Sequence, residues 1–206
     1  MNESRSRDTG RLALATGVVA AGSAISLATF FAVQGPFGTM NDLANAGIGL
    51  LSASLAWRLR GELSGRSARA AIGAAFVGAC LTVAGSSLVV SGTTGFFFAS
   101  LVSSVGFAGI GAWLLALNSS DRATARPRAF RTLGLVAGGL MALGVAVAPG
   151  ISLGLDDMGT APGWVWIGFL GRLGTFVAYP AWAIWLGTVE MRRAGAAIPV
   201  PRGTVA

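Results

Sequence analysis

The sequence predicts an all-α protein that crosses a lipid bilayer as six helices, arranged as three antiparallel hairpins with both ends on the cytoplasmic side. Three observations carry this expectation. Hydrophobic residues make up 53% of the chain and charged residues 11%, against roughly 25% charged in soluble domains, and the mean hydropathy is +0.69. The apolar residues fall in six long runs separated by short connections, and nearly all the arginines fall in alternate connections.

A spanning helix needs about 20 mostly apolar residues. The first run, 12–34, follows Arg5, Arg7 and Arg11. It is longer than the roughly 7–15-residue apolar stretch of a cleaved signal, so it reads as a retained anchor. The second and fifth, 42–57 and 132–148, are short for a span, so each is expected to gain a turn from its flanks or to stand close to vertical. The third, fourth and sixth are 70–91, 96–117 and 163–189. Gly and Pro punctuate the connections, as in GPFG, SGTTG and APG, which favours helical hairpins. Residues 1–206 then form a single membrane domain with no soluble one.

Arginine placement sets the orientation. Arg58, Arg60, Arg66 and Arg69 join the second run to the third, and Arg122, Arg126, Arg128 and Arg131 the fourth to the fifth. Arg192, Arg193 and Arg202 follow the sixth. The connections at 35–41, 92–95 and 149–162 hold none, and the last carries Asp156 and Asp157, which read as a solvated loop. Those three are expected outside. Trp164 and Trp166 fall at the outer end of the sixth run, and Trp57, Trp182 and Trp185 near inner ends, as interfacial belts require. A faint repeat, with Arg11, Arg69 and Arg131 each preceding an odd helix, needs no duplication once this bias is allowed for.

Every basic residue is arginine; lysine and histidine are absent. That removes a retinal Schiff base, a P-loop lysine, imidazole ligands for haem or zinc, and a Ser-His-Asp triad. Cys80 is alone, so no intrachain disulfide or CxxC pair forms. The net charge of +7 is spread between apolar runs rather than gathered on a soluble face, which argues against nucleic acid. No enzymatic activity, cofactor or metal is expected. Small residues spaced four apart, Gly134 and Gly138, Ala13, Gly17 and Ala21, and Ala74 and Gly78, mark close helix contacts within the chain, with homodimerisation the alternative.

One arginine departs from the pattern. Arg172 lies nine residues inside the sixth run, roughly 13 Å from its outer end, where a charge must face the bundle interior or water and have a partner. Gly168, Arg172, Thr175 and Tyr179 follow one helix face, and Pro180 is expected to bend the helix and free the carbonyl of Phe176. The nearest carboxylate is Asp42, with Asn45 one turn later. These four polar residues, Asp42, Asn45, Arg172 and Tyr179, are the candidate intramembrane cluster, suited to an anionic or quinone-like ligand. Asp42 has a second explanation, because Thr39 to Asp42 fits a capping box at the start of the second helix.

GPFGTMNDLANAG at the second helix and WVWIGFLGRLGTFVAYPAWAIWLG in the last resemble bacterial multi-pass membrane proteins of about this length that have no assigned activity. The resemblance implies a membrane bundle and carries no residue role. The expected function is a non-enzymatic accessory or structural bundle, with a small permease or ligand-sensing bundle around Arg172 and Asp42 as the alternative. Membrane lipid is the expected partner, with a homo-oligomer or another membrane protein possible. Use of arginine to the exclusion of lysine, with abundant alanine and glycine, points to a bacterial cytoplasmic membrane.

Overall fold

The computed structural model of the protein describes residues 3–196, so Arg202 lies outside the described residues. All regular structure among them is helical. In a bilayer this has a physical cause, since a helix satisfies every backbone N–H and C=O within itself where no water can. The helices are α1 (Glu3–Val33), α2 (Phe37–Arg58), α3 (Gly65–Val90), α4 (Phe96–Ser119), α5 (Arg128–Ala142), α6 (Ala148–Ser152), α7 (Val165–Leu173) and α8 (Tyr179–Ala196).

Two spans are composite. A 3-10 stretch, Leu143–Val147, joins α5 to α6, and a π turn, Gly174–Ala178, joins α7 to α8. The fifth span therefore runs Arg128–Ser152 and the sixth Val165–Gly195. With Ser4–Val33, Ser67–Val90 and Phe96–Ser119 they make five segments long and apolar enough to cross a membrane. At 22 residues α2 has the length, but Asn41, Asp42 and Asn45 make its first half more polar. The short second and fifth runs do gain length from their flanks: α2 starts five residues before the apolar run, at Phe37.

Successive helices pack side by side, α1 on α2, α2 on α3, α3 on α4 and α4 on α5, and α1 closes the set against α8. The most enclosed is α4, with 72% of its apolar window buried. Small residues allow the approach. A Cβ on Gly138 would lie 2.8 Å from the Gly111 carbonyl oxygen and 2.9 Å from the Leu115 nitrogen of α4, so α5 fits there only without a side chain. The Gly134–Gly138 pair is thus used within the chain.

Trp182 corrects the expected aromatic belt. It is fully buried, edge-on to Trp113 with ring centroids 6.2 Å apart and stacked on Tyr179 and Phe130. Its indole N–H donates to Asn118 at 3.3 Å, the partner a buried indole requires. Trp57 and Trp166, by contrast, are exposed on the bundle surface.

The arginine-rich segments meet at one end. Arg5 donates to the Arg58 carbonyl at 3.2 Å, Arg126 pairs with Glu62, and Arg131 donates to the Asn118 carbonyl at 2.9 Å. At the same end Glu190 of α8 is buried, accepting from Ser6 of α1 at 2.6 Å and from Arg193 at 3.0 Å.

Candidate functional site

At the opposite end, where α1 and α3 finish and α2, α4 and α7 begin, the helices leave a pocket of about 250 Å³. Asp42 and Asn45 of α2 and Arg172 of α7 all line it, together with Ser100 and Ser103 of α4. Phe31, Phe96, Trp166 and Phe169 form much of its apolar wall, and Met158 reaches in from the connection between α6 and α7.

Each polar member is held differently. Asn45 accepts from the Ser23 hydroxyl at 3.0 Å and donates to Asn41 at 3.1 Å; Asn41 donates back to Ser23, at 2.8 Å to its hydroxyl and 2.9 Å to its carbonyl. This network bolts α2 to α1 and engages both amides internally. Asp42, between them in sequence, takes no part. It is 9% exposed, yet its carboxylate accepts no hydrogen bond among the described residues. The Ser103 hydroxyl, on a residue 4% exposed, is likewise without a protein partner.

Arg172 has one anchoring bond, from Nη2 to the Ser100 carbonyl at 3.0 Å. Rings surround it, with the guanidinium carbon 5.9 Å from the centroid of Phe107, 5.8 Å from Phe169 and 5.7 Å from Phe176, distances at which an aromatic face attracts a cation. Its Nε is buried with no partner. A guanidinium carries five N–H donors, so Arg172 is held in direction while most of its donor capacity is unused.

The capping explanation for Asp42 does not hold. Because α2 begins at Phe37, Asp42 is the sixth residue of the helix, beyond the first turn, and the cap position at Pro36 has no side-chain bond. A carboxylate does cap a different helix, α4. Asp156, in the connection after α6, accepts from the backbone N–H of Gly95 at 2.7 Å and of Phe98 at 3.0 Å, at the start of α4. Asp157 accepts from Gly159 at 2.9 Å within its own short turn. Asp156 is thus exposed, as expected of a loop acid, and also ties the connection to α4.

Tyr179 lies outside the pocket. Its hydroxyl pairs with Ser52 at 2.7 Å, and Ser52 is ten residues beyond Asp42 on α2, roughly 15 Å along the axis. The π turn separates Tyr179 from Arg172. It closes with the Tyr179 N–H on the Gly174 carbonyl, and its extra residue breaks the 3.6-residue phase that placed both side chains on one face. The π turn ends at Ala178, two residues before Pro180.

Sequence reasoning missed Asn41, Ser100, Ser103 and the aromatic wall. The i, i+4 pair of Asn41 and Asn45 was a readable signal; Ser103 was one serine among several in α4, with nothing local to single it out. Among the described residues no group of three or more His, Cys, Asp or Glu side chains is placed to hold a metal. No protein-family model, curated protein or solved structure matches this chain.

Proposed function

We propose that this chain is an integral protein of the bacterial cytoplasmic membrane that binds a small ligand in the pocket between α2, α4 and α7, as a permease or ligand-sensing bundle. In this reading six spans form three antiparallel hairpins. Both termini and the arginine-rich connections face the cytoplasm, and the pocket opens toward the outer side. The observation that carries it is that an unbonded Asp42 carboxylate and an under-used Arg172 guanidinium line one cavity from separate helices without contact. Ionisable groups within a membrane are costly and mark substrate paths or binding sites by default. A purely structural arginine would be expected to use its donors on the protein, as buried polar groups normally do.

The reading assigns these residues to binding and gives none of them a catalytic step. It replaces an accessory bundle as the favoured role, because accessory packing needs no open polar pocket. Thermal stabilisation of the purified protein by a broad panel of small polar metabolites, anions and quinones tests it. A stabilising compound whose effect vanishes in Arg172→Leu, with insertion intact, supports a binding role. A panel without any Arg172-dependent shift returns the accessory role to first place. Reporter fusions at the two ends and in the 92–95 connection test the orientation, and an external signal from either terminus would overturn it.

A further inference from the structure

We propose that the pocket takes a small zwitterion with an apolar substituent, its ammonium group at Asp42, its carboxylate at Arg172 and its side group against the aromatic wall, as an apolar amino acid would present them. The proposal rests on the reading of this pocket as a binding site and names what it binds.

Charge balance excludes the simpler occupants. The pocket offers one carboxylate and one guanidinium on separate helices, and no ion pair within 4.0 Å joins them. A lone anion at Arg172 would sit beside a buried carboxylate left without a counter-ion, and a lone cation at Asp42 would face the guanidinium. Each leaves a desolvated charge uncompensated, the most costly arrangement a binding site can contain. An uncharged quinone adds nothing to the weak attraction across the gap between them. A zwitterion spanning the two satisfies both at once.

The remaining lining agrees. Asn41 and Asn45 are held by Ser23 and by each other, so recognition falls chiefly to the two charges and the free Ser103 hydroxyl, with one N–H of Asn45 left over. The Ser100 carbonyl and the rings around Arg172 fix the guanidinium in place before anything binds, which lowers the ordering cost of binding. A space of about 250 Å³ falls below the roughly 300–1,000 Å³ of pockets that hold drug-sized molecules. Phe31, Phe96, Trp166 and Phe169 then supply the apolar surface that a hydrocarbon side group would cover.

The test uses the full chain in detergent, its thermal stability measured against concentration series of leucine, valine and phenylalanine, of isocaproate, which is leucine without its ammonium group, and of isoamylamine, which lacks the carboxylate. At least one amino acid is expected to stabilise the protein, and each single-charge analogue to bind about tenfold or more weakly. Asp42→Asn should abolish discrimination against isocaproate, and Arg172→Gln discrimination against isoamylamine. Should Arg172→Gln fail to fold, Asp42→Asn and Ser103→Ala decide, since either must weaken amino-acid binding. An analogue that binds as tightly as its amino acid overturns the proposal, as does amino-acid binding unchanged in Asp42→Asn. If the broad panel yields an Arg172-dependent compound while the amino acids yield none, the zwitterion class falls and the binding role stands. If neither yields a shift, both fall.

Discussion

Asp42 and Arg172 face one pocket from α2 and α7 without touching: no ion pair within 4.0 Å joins them, although Asp42 is buried and Arg172 part-buried. An ion pair made for stability would close to contact, because attraction falls with distance and the desolvation of both groups is otherwise uncompensated. Two charges held apart by separate anchors, α2 by the Asn41–Asn45–Ser23 network and Arg172 by Ser100, instead define a gap of fixed polarity.

That arrangement predicts a modest coupling. In a double-mutant cycle of Asp42→Asn and Arg172→Gln, read by thermal stability in detergent, the interaction energy should be about 0.5–1 kcal/mol, below that of a buried contact pair. Coupling of about 3 kcal/mol would mean that the pair closes in solution, and strict additivity that the two charges do not sense each other.

A second prediction concerns the roof of the pocket. Asp156 ties the connection after α6 to the first turn of α4, where two backbone N–H groups and the helix dipole favour a carboxylate. Asp156→Ala should cost about 1 kcal/mol, seen as a lower melting temperature. Asp157→Ala should cost less, since Asp157 bonds only within a three-residue turn. Equal effects would show that the tie to α4 contributes nothing.

The helical content and the membrane-length spans were legible because hydrophobic length is a global property that no single contact decides. The juxtaposition of Asp42 and Arg172 was a weaker inference, drawn from the depth of each along its helix and from the lean of helical side chains. Tyr179 shows where such reasoning ends: a π turn at Gly174–Ala178 adds one residue to the register, and a pattern built on a constant 3.6-residue period has no means of anticipating it. Trp182 fails for a related reason. Its depth matched an interfacial belt, but the choice between lipid and core depends on helix rotation, which the Asn118 bond and the Trp113, Phe130 and Tyr179 rings fix only in the folded bundle.

At the other end of the bundle, pH should act through Glu62. Burial pushes its carboxyl above the ordinary 4.5, and the neighbouring Arg126 opposes that shift without cancelling it. The folded state therefore holds this proton more tightly than the unfolded chain. The stabilisation is complete below 4.5 and is lost as pH rises through the raised value. Melting temperatures measured from about pH 4 to about pH 8 should carry a downward component from Glu62 that Glu62→Gln removes. A profile identical in the variant would show that Glu62 titrates normally. Glu190, Arg122 and Arg193 also act on this site, so the comparison between the two profiles, not the wild-type slope alone, is the test.

Adjacent glycines of α5 provide the sharpest contrast in packing. A Cβ on Gly138 would enter the backbone of α4, 2.8 Å from the Gly111 oxygen, whereas a Cβ on Gly139 would meet nothing within 4 Å. The two substitutions should have opposite signs. Gly138→Ala must push α5 away from α4 and should destabilise by about 1–3 kcal/mol. Gly139→Ala leaves the packing alone and removes the conformational freedom of a mid-helix glycine, so it should stabilise by up to about 1 kcal/mol. Thermal unfolding of the two variants beside the parent decides the matter. Destabilisation by both would mean that the free face at Gly139 is occupied in the assembled protein, by a second copy of the chain or by another membrane protein.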